Sequence, residues 1–179
     1  MKSYWKEILK IRLQLYGHRN WVVIADSAYP AQAAPGIETI VSQEDHRTVL
    51  DKAFEILHEW KHIQPVIYTD KELSFVSEED APGVTSYRKE FAALVEGYDV
   101  RRQRHEEIIA RLEEVGESFQ VLLIKTNMRI PYTSVFFELE CGYWNAEAED
   151  RLRAAMRLGE REAIPCITNE VAQGSENLV

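Results

Sequence analysis

Gly17-His18-Arg19-Asn20-Trp21-Val22-Val23-Ile24-Ala25-Asp26-Ser27-Ala28-Tyr29-Pro30 is the stretch from which the fold is read. An amphipathic helix ends at Gly17, and a histidine follows at once. The apolar run from Trp21 to Ile24 has the composition of a buried strand. It stops at Asp26, in front of a loop that contains Pro30. Ligands of open α/β proteins sit at such strand ends. The segment thus offers an imidazole, a carboxylate and an aromatic ring, Tyr29, around one strand and loop. These groups suit proton movement on a small polar molecule.

Working outward, helices and strands alternate. Trp5, Ile8, Leu9, Leu13 and Tyr16 recur at helical spacing before Gly17. Gly36 to Val41 is a short strand, and Ser42 with Asp45 resembles a capping box. The long helix that follows carries Val49, Leu50, Ala53, Phe54, Leu57 and Trp60 on one side. Pro65 to Thr69 is a third strand. Ser77 to Gly83 is a polar loop. Helices are expected near Tyr87 to Val95 and Gln103 to Val115, and a strand from Phe119 to Lys125. In Val135 to Cys141 the alternation is plain: Val135, Phe137, Leu139 and Cys141 take one face, Glu138 and Glu140 the other. Alternating strands and helices favour the α/β class. Composition shifts after Trp144. Ala146 to Glu162 is charged and helix-prone, with Leu152, Ala155 and Met156 as its apolar stripe. From Ala163 the periodicity weakens, and a tail is expected that is disordered or docked on another subunit.

A chain of 179 residues, 45% hydrophobic and 28% charged, has the make-up of a soluble globular domain. Its net charge of −9 argues against a broad nucleic-acid surface. Cys141 and Cys166 form neither a disulfide framework nor a paired metal motif, so a reducing cytoplasm is the expected setting. The first residues lack the apolar core of a signal peptide. No run approaches the ~20 apolar residues that span a bilayer, so no membrane partner is expected.

Three motifs in order carry a resemblance. Gly17-His18 precedes a strand, Asp26-Ser27-Ala28-Tyr29-Pro30 follows it, and Pro131-Tyr132-Thr133-Ser134 precedes a late strand. This resembles the ribose pyranase and fucose mutarotase family, whose pattern is Gly-His-X-Asp, then Asp-Ala-X-X-Pro, then Tyr-X-Asn. Ala25 to Ala31 and Thr126-Asn127-Met128-Arg129 are closer to the fucose mutarotase branch. Asn20, Ser27 and Ser134 depart from the pattern, and at Ser134 a hydroxyl stands where an amide would supply two donors and an acceptor. The resemblance covers residues 1–144. It implies a single α/β domain with a mixed β-sheet flanked by helices, to which residues 145–179 add a C-terminal helical extension and tail.

The resemblance also implies a chemistry. Such enzymes act without a cofactor or a metal on free monosaccharides, interconverting anomers or ring forms. A cyclic sugar opens when its ring oxygen gains a proton and its anomeric hydroxyl loses one. Acid and base side chains suffice. Histidine is the side chain whose charge ordinarily changes near neutrality, so His18 is the candidate for proton transfer. Asp26 would hold sugar hydroxyls or orient the histidine, and Tyr132 would donate to a sugar oxygen or share the proton transfer. Tyr29, Arg104, His105, Arg129 and Ser134 are candidate sugar contacts. The family relation further implies a ring-shaped homo-oligomer with sites at subunit interfaces.

Plainer readings stand beside these. His18 after a helix-ending glycine suits a cap or a surface residue. Asp26 suits an Asx turn, and Arg104 and His105 lie in a mixed charge run typical of a solvated helix face. A non-catalytic sugar-binding protein of the same fold is the second functional reading. His58-Glu59-Trp60-Lys61-His62 spells the zinc-hydrolase pattern H-E-x-x-H on the expected helix, which gives a remote third.

Overall fold

Period-two burial organises the sheet. In the strand β1 (Trp21–Ala25), Val22 and Ile24 join one apolar layer while Trp21, Val23 and Ala25 join the other. The computed structural model describes residues 4–162. Within them the chain runs α1 (Tyr4–Leu15), β1, β2 (Ile37–Val41), α2 (His46–Glu59), β3 (Ile63–Asp70), a short 3-10 turn (Lys71–Ser74), α3 (Val84–Leu94), β4 (Val100–Gln103), α4 (His105–Gly116), β5 (Val121–Lys125), β6 (Val135–Cys141) and α5 (Ala146–Glu162). The strands form one six-stranded sheet in the order β2-β5-β1-β6-β3-β4. This is a single α/β domain built on a mixed sheet flanked by helices. It divides from the C-terminal unit at Tyr143, the units being Met1–Tyr143 and Trp144–Val179.

Pairing is parallel between β1 and β5, β2 and β5, and β3 and β4, and antiparallel where β6 inserts between β1 and β3. All strands but β6 therefore point the same way. The ends of β1, β3, β4 and β5 and the start of β6 meet along one edge of the sheet. That edge holds the site.

One face of the sheet is covered by α1, α2 and α3 through Trp5, Leu9, Leu13, Leu50, Phe54, Leu57 and Val84. The other is covered by α4 through Ile108 and Leu112. Arg111 of α4 donates to both oxygens of Glu138 at 2.9 Å and lies over the Trp21 and Tyr68 rings, 4.9 Å from each centroid. Glu138 is thus neutralised under a helix, where its alternation had suggested solvent or a partner subunit.

Several local expectations are corrected. The α2 cap is Asp45, whose Oδ1 accepts the Thr48 N–H at 3.0 Å. Ser42 instead donates to the Lys125 carbonyl at 3.0 Å. The helix expected from Gln103 begins at His105, and Val100–Gln103 is an edge strand whose Arg101 and Arg102 are exposed. β3 runs one residue past Thr69 to Asp70. Helix α2 ends at Glu59, and Trp60 leaves helical geometry (φ −98, ψ 107). His62 is therefore off the helix, bonded through Nε2 to the Tyr16 carbonyl at 3.0 Å, while His58 Nε2 meets the Tyr98 hydroxyl at 2.9 Å. The two imidazoles do not share a ligand face. Among the described residues no cluster of His, Cys, Asp or Glu is placed to hold a metal ion.

In the C-terminal unit, Asn145 starts α5 by accepting the Ala148 N–H on Oδ1 at 2.8 Å. The tail from Ala163 lies outside the described residues. No helix among the described residues is long and apolar enough to cross a membrane.

Candidate functional site

The chain leaves β5 on one side of β1 and enters β6 on the other, so residues 126–134 must cross the end of β1. The crossing is fastened down. The Thr126 N–H reaches the Ala25 carbonyl at 2.9 Å, and the Ser27 N–H and hydroxyl both reach the Met128 carbonyl, at 2.9 and 2.6 Å. Tyr132 is held in the left-handed region at φ +60, where a bulky residue costs about 1–3 kcal/mol and persists only if its surroundings require it. The result is a cavity of about 400 Å³ lined by Asp26, Ser27, Ala28, Tyr29, Pro30, His105, Met128, Arg129, Pro131 and Tyr132. That volume is in the range of small-molecule sites.

Asp26 is 6% exposed. Its Oδ1 accepts the Ala28 N–H at 3.0 Å in an Asx turn, and its Oδ2 accepts the Ser134 hydroxyl at 2.9 Å. Tyr29 is buried, and burial with the charges of Asp70 and Asp26 raises its phenol above the ordinary tyrosine value. Its hydroxyl donates to Gln32 at 3.0 Å. The His105 ring stands edge-on to Tyr29 and to Tyr132, with centroids 6.1 and 5.3 Å away.

A residue the sequence reading passed over sits beneath His105. Asp70 ends β3 with its side chain fully buried, and its Oδ2 lies 3.1 Å from His105 Nδ1. Both elements are locked together by Glu72 of the 3-10 turn, whose carboxylate accepts the His105 backbone N–H at 3.1 and 3.2 Å. The signal that marks Asp26, an apolar run that ends in aspartate, is repeated in Val66-Ile67-Tyr68-Thr69-Asp70.

The structure gathers Asp26, Tyr29, His105, Arg129 and Tyr132 around one cavity. Ser134 is 1% exposed and lies behind Asp26. Arg104 is exposed at the head of α4, where its backbone N–H reaches Glu107. His18 is exposed in the turn before β1, at the opposite edge of the sheet from Asp26. A five-residue strand separates them, roughly 15 Å of extended chain. A larger cavity of about 580 Å³ also lies away from the Asp26 edge, lined by Trp60, Tyr98, Arg101 and Glu140 among others.

A buried polar cluster supports the crossing loop. His46, 1% exposed, meets the Thr126 hydroxyl at 2.9 Å and the Tyr87 hydroxyl at 3.3 Å. Tyr87 also reaches the Thr133 carbonyl at 2.9 Å. Burial lowers the His46 imidazole to about 4.

Solved structures match most of the chain, two of them as follows. RbsD from Bacillus subtilis, complexed with D-ribose, superposes with a TM-score of 0.51 at 17% identity, covering 81% of this chain and 95% of its own. The fucose mutarotase from Streptococcus pneumoniae, in complex with L-fucose, gives a TM-score of 0.50 at 20% identity, covering 75% and 91%. No protein-family model matches the sequence, and no curated protein matches it. At these identities the likeness is one of fold. The chain has the α/β fold of RbsD and of the fucose mutarotase, as its motifs lead one to expect.

Proposed function

We propose that the cavity at the end of β1 binds a free monosaccharide and interconverts its anomers or ring forms by acid and base ring opening. The observation that carries this reading is the convergence of a buried carboxylate, an imidazole and a phenol, Asp26, His105 and Tyr132, on one cavity of about 400 Å³. Hydroxyl-rich ligands are held by carboxylates and fixed N–H donors, and hemiacetal opening needs a base at one oxygen and an acid at another. The cavity offers both. Its relation to D-ribose and L-fucose complexes of the same fold supports the choice of ligand class.

In this reading Asp26 holds sugar hydroxyls through lone pairs not taken by Ala28 and Ser134. Tyr29 and Arg129 line the ring, and Ser134 acts by fixing Asp26. His18 and Arg104 reach a sugar only from a second copy of the chain, in a homo-oligomer with sites at subunit interfaces. The protein works as an isomerase in the cytoplasm.

The test is a titration with free aldoses and ketoses, read by NMR on both partners. Amide shifts at Asp26, Tyr29, His105 and Tyr132, together with faster exchange of the sugar's anomeric signals, are expected. The same shifts without faster exchange would leave a sugar-binding protein. Shifts that gather instead around Trp60 and Tyr98 would refute the site.

A further inference from the structure

We propose that Asp70 is the positioning residue for His105: it holds the imidazole with hydrogen on Nδ1, so that the Nε2 lone pair faces the cavity and takes the proton of the anomeric hydroxyl. The proposal rests on the reading of the cavity as a ring-opening site and names its internal base. Three observations carry it. First, both carboxylate oxygens of Asp70 are buried and lack a hydrogen bond. Buried polar atoms of native proteins are nearly always paired, so this carboxylate calls for an explanation.

Second, His105 Nδ1 is the ring nitrogen aimed at it. Nδ1 is buried, and it lies 3.1 Å from Asp70 Oδ2, within contact distance but outside hydrogen-bond alignment. Nε2 is not among the buried unpaired atoms, and the ring lines the cavity. Which nitrogen of a histidine carries the proton is set by the bond its other nitrogen makes. Third, the pair is pinned from the backbone. Glu72 takes the His105 N–H, so β3, the turn after it and α4 form one rigid support.

The step balances. Nε2 accepts the proton of the anomeric hydroxyl as the bond between the anomeric carbon and the ring oxygen breaks. That bond's electron pair goes to the ring oxygen, which takes a proton from the Tyr132 hydroxyl. The open-chain carbonyl then turns its other face, or offers another hydroxyl, and reclosure returns both protons. Burial raises the Asp70 carboxyl above the ordinary aspartate value, and His105 draws it back. The other titratable groups around the pair are Glu72, Asp26, Tyr29, Tyr87 and Tyr132. Asp26 and Glu72 favour a proton on the pair.

The test has two arms. Long-range ¹⁵N spectra of the wild-type protein report the His105 tautomer without reference to activity, and hydrogen on Nδ1 is expected. An Nε2–H tautomer at neutral pH overturns the proposal. In exchange kinetics, Asp70→Asn removes a negative charge, so the imidazole releases its proton at lower pH and is a weaker base. The acidic limb of the rate profile moves to lower pH, and kcat falls about 10- to 100-fold with KM unchanged. The roughly 10⁴-fold loss on Asp→Asn in a catalytic triad, where the amide enforces the wrong tautomer, is the ceiling for this effect. An unshifted limb with unchanged kcat overturns the proposal while the ring-opening reading stands. If the wild-type protein accelerates no sugar, that reading fails, and the tautomer alone decides whether Asp70 orients His105.

Discussion

The buried imidazole of His46 gives this fold a measurable sensitivity to acid. Thr126 and Tyr87 each have one hydroxyl hydrogen, and each also has a backbone carbonyl within reach, Ala25 at 3.0 Å and Thr133 at 2.9 Å. With a neutral ring, one hydroxyl donates to the bare nitrogen and the other receives from the N–H. Protonation places a charge in a site 1% exposed to solvent. Burial therefore lowers the imidazole from 6.5 to about 4. In the unfolded chain it protonates near 6.5, so below that pH the unfolded state binds the extra proton. The group's contribution to stability is full above 6.5 and is lost as pH falls towards 4. It amounts to about 2 kcal/mol by pH 5 and about 3 kcal/mol by pH 4. The perturbation is His46→Asn, which keeps a polar group near Thr126 but does not titrate. Urea unfolding of both proteins between pH 7 and pH 5 is the assay. The wild-type protein should lose about 2 kcal/mol more than the variant over that range. Equal losses would refute the buried neutral imidazole, as would an NMR titration of His46 centred near 6.5.

Three further outcomes follow from the same geometry. Gly36→Ala would place a Cβ 2.0 Å from the Phe119 carbonyl oxygen and 2.5 Å from that of Gly116, both backbone atoms, so it should cost at least about 2 kcal/mol in urea unfolding. Ser134→Ala takes the hydroxyl donor from a nearly buried Asp26 carboxylate, and thermal unfolding should show a loss of about 1–2 kcal/mol. Asp70→Asn removes a buried carboxylate that the fold holds in its protonated form above the unfolded value. Wild-type stability falls as pH rises through the range where only the unfolded state has ionised, so the variant should gain relative to wild type from pH 4 to pH 7. A variant that loses catalysis and gains stability would fit a group kept for function.

Much of the sheet was legible because burial follows period. β6 is read at its observed bounds, Val135–Cys141, since a seven-residue alternation admits no helix. β1, Trp21–Ala25, shows in the sequence as the apolar run Trp21 to Ile24. β4 was hidden because it is a short edge strand of Val100-Arg101-Arg102-Gln103, whose charged side chains resemble a solvated helix start. Asp45 rather than Ser42 caps α2, a choice fixed by where Ser42 finds the Lys125 carbonyl across the sheet. The site was legible in part. Asp26, Tyr29, Arg129 and Tyr132 meet because the β5–β6 crossing passes over β1, a topological fact that local motifs do not state. His18 and Asp26 are near in sequence, but a strand lies between them, and extended chain turns sequence proximity into distance. Asp70 and His105 are far apart in sequence, and the parallel pairing of β3 with β4 brings them together.

The central claim is ring opening at the Asp26 edge of the sheet. Magnetisation exchange between the anomeric signals of free monosaccharides tests it most directly, with wild-type protein and Asp26→Asn compared on the same sugars. The account predicts exchange well above the uncatalysed rate for at least one sugar, and its loss in the variant. No acceleration for any aldose or ketose by the folded wild-type protein would contradict it, as would acceleration that Asp26→Asn leaves intact.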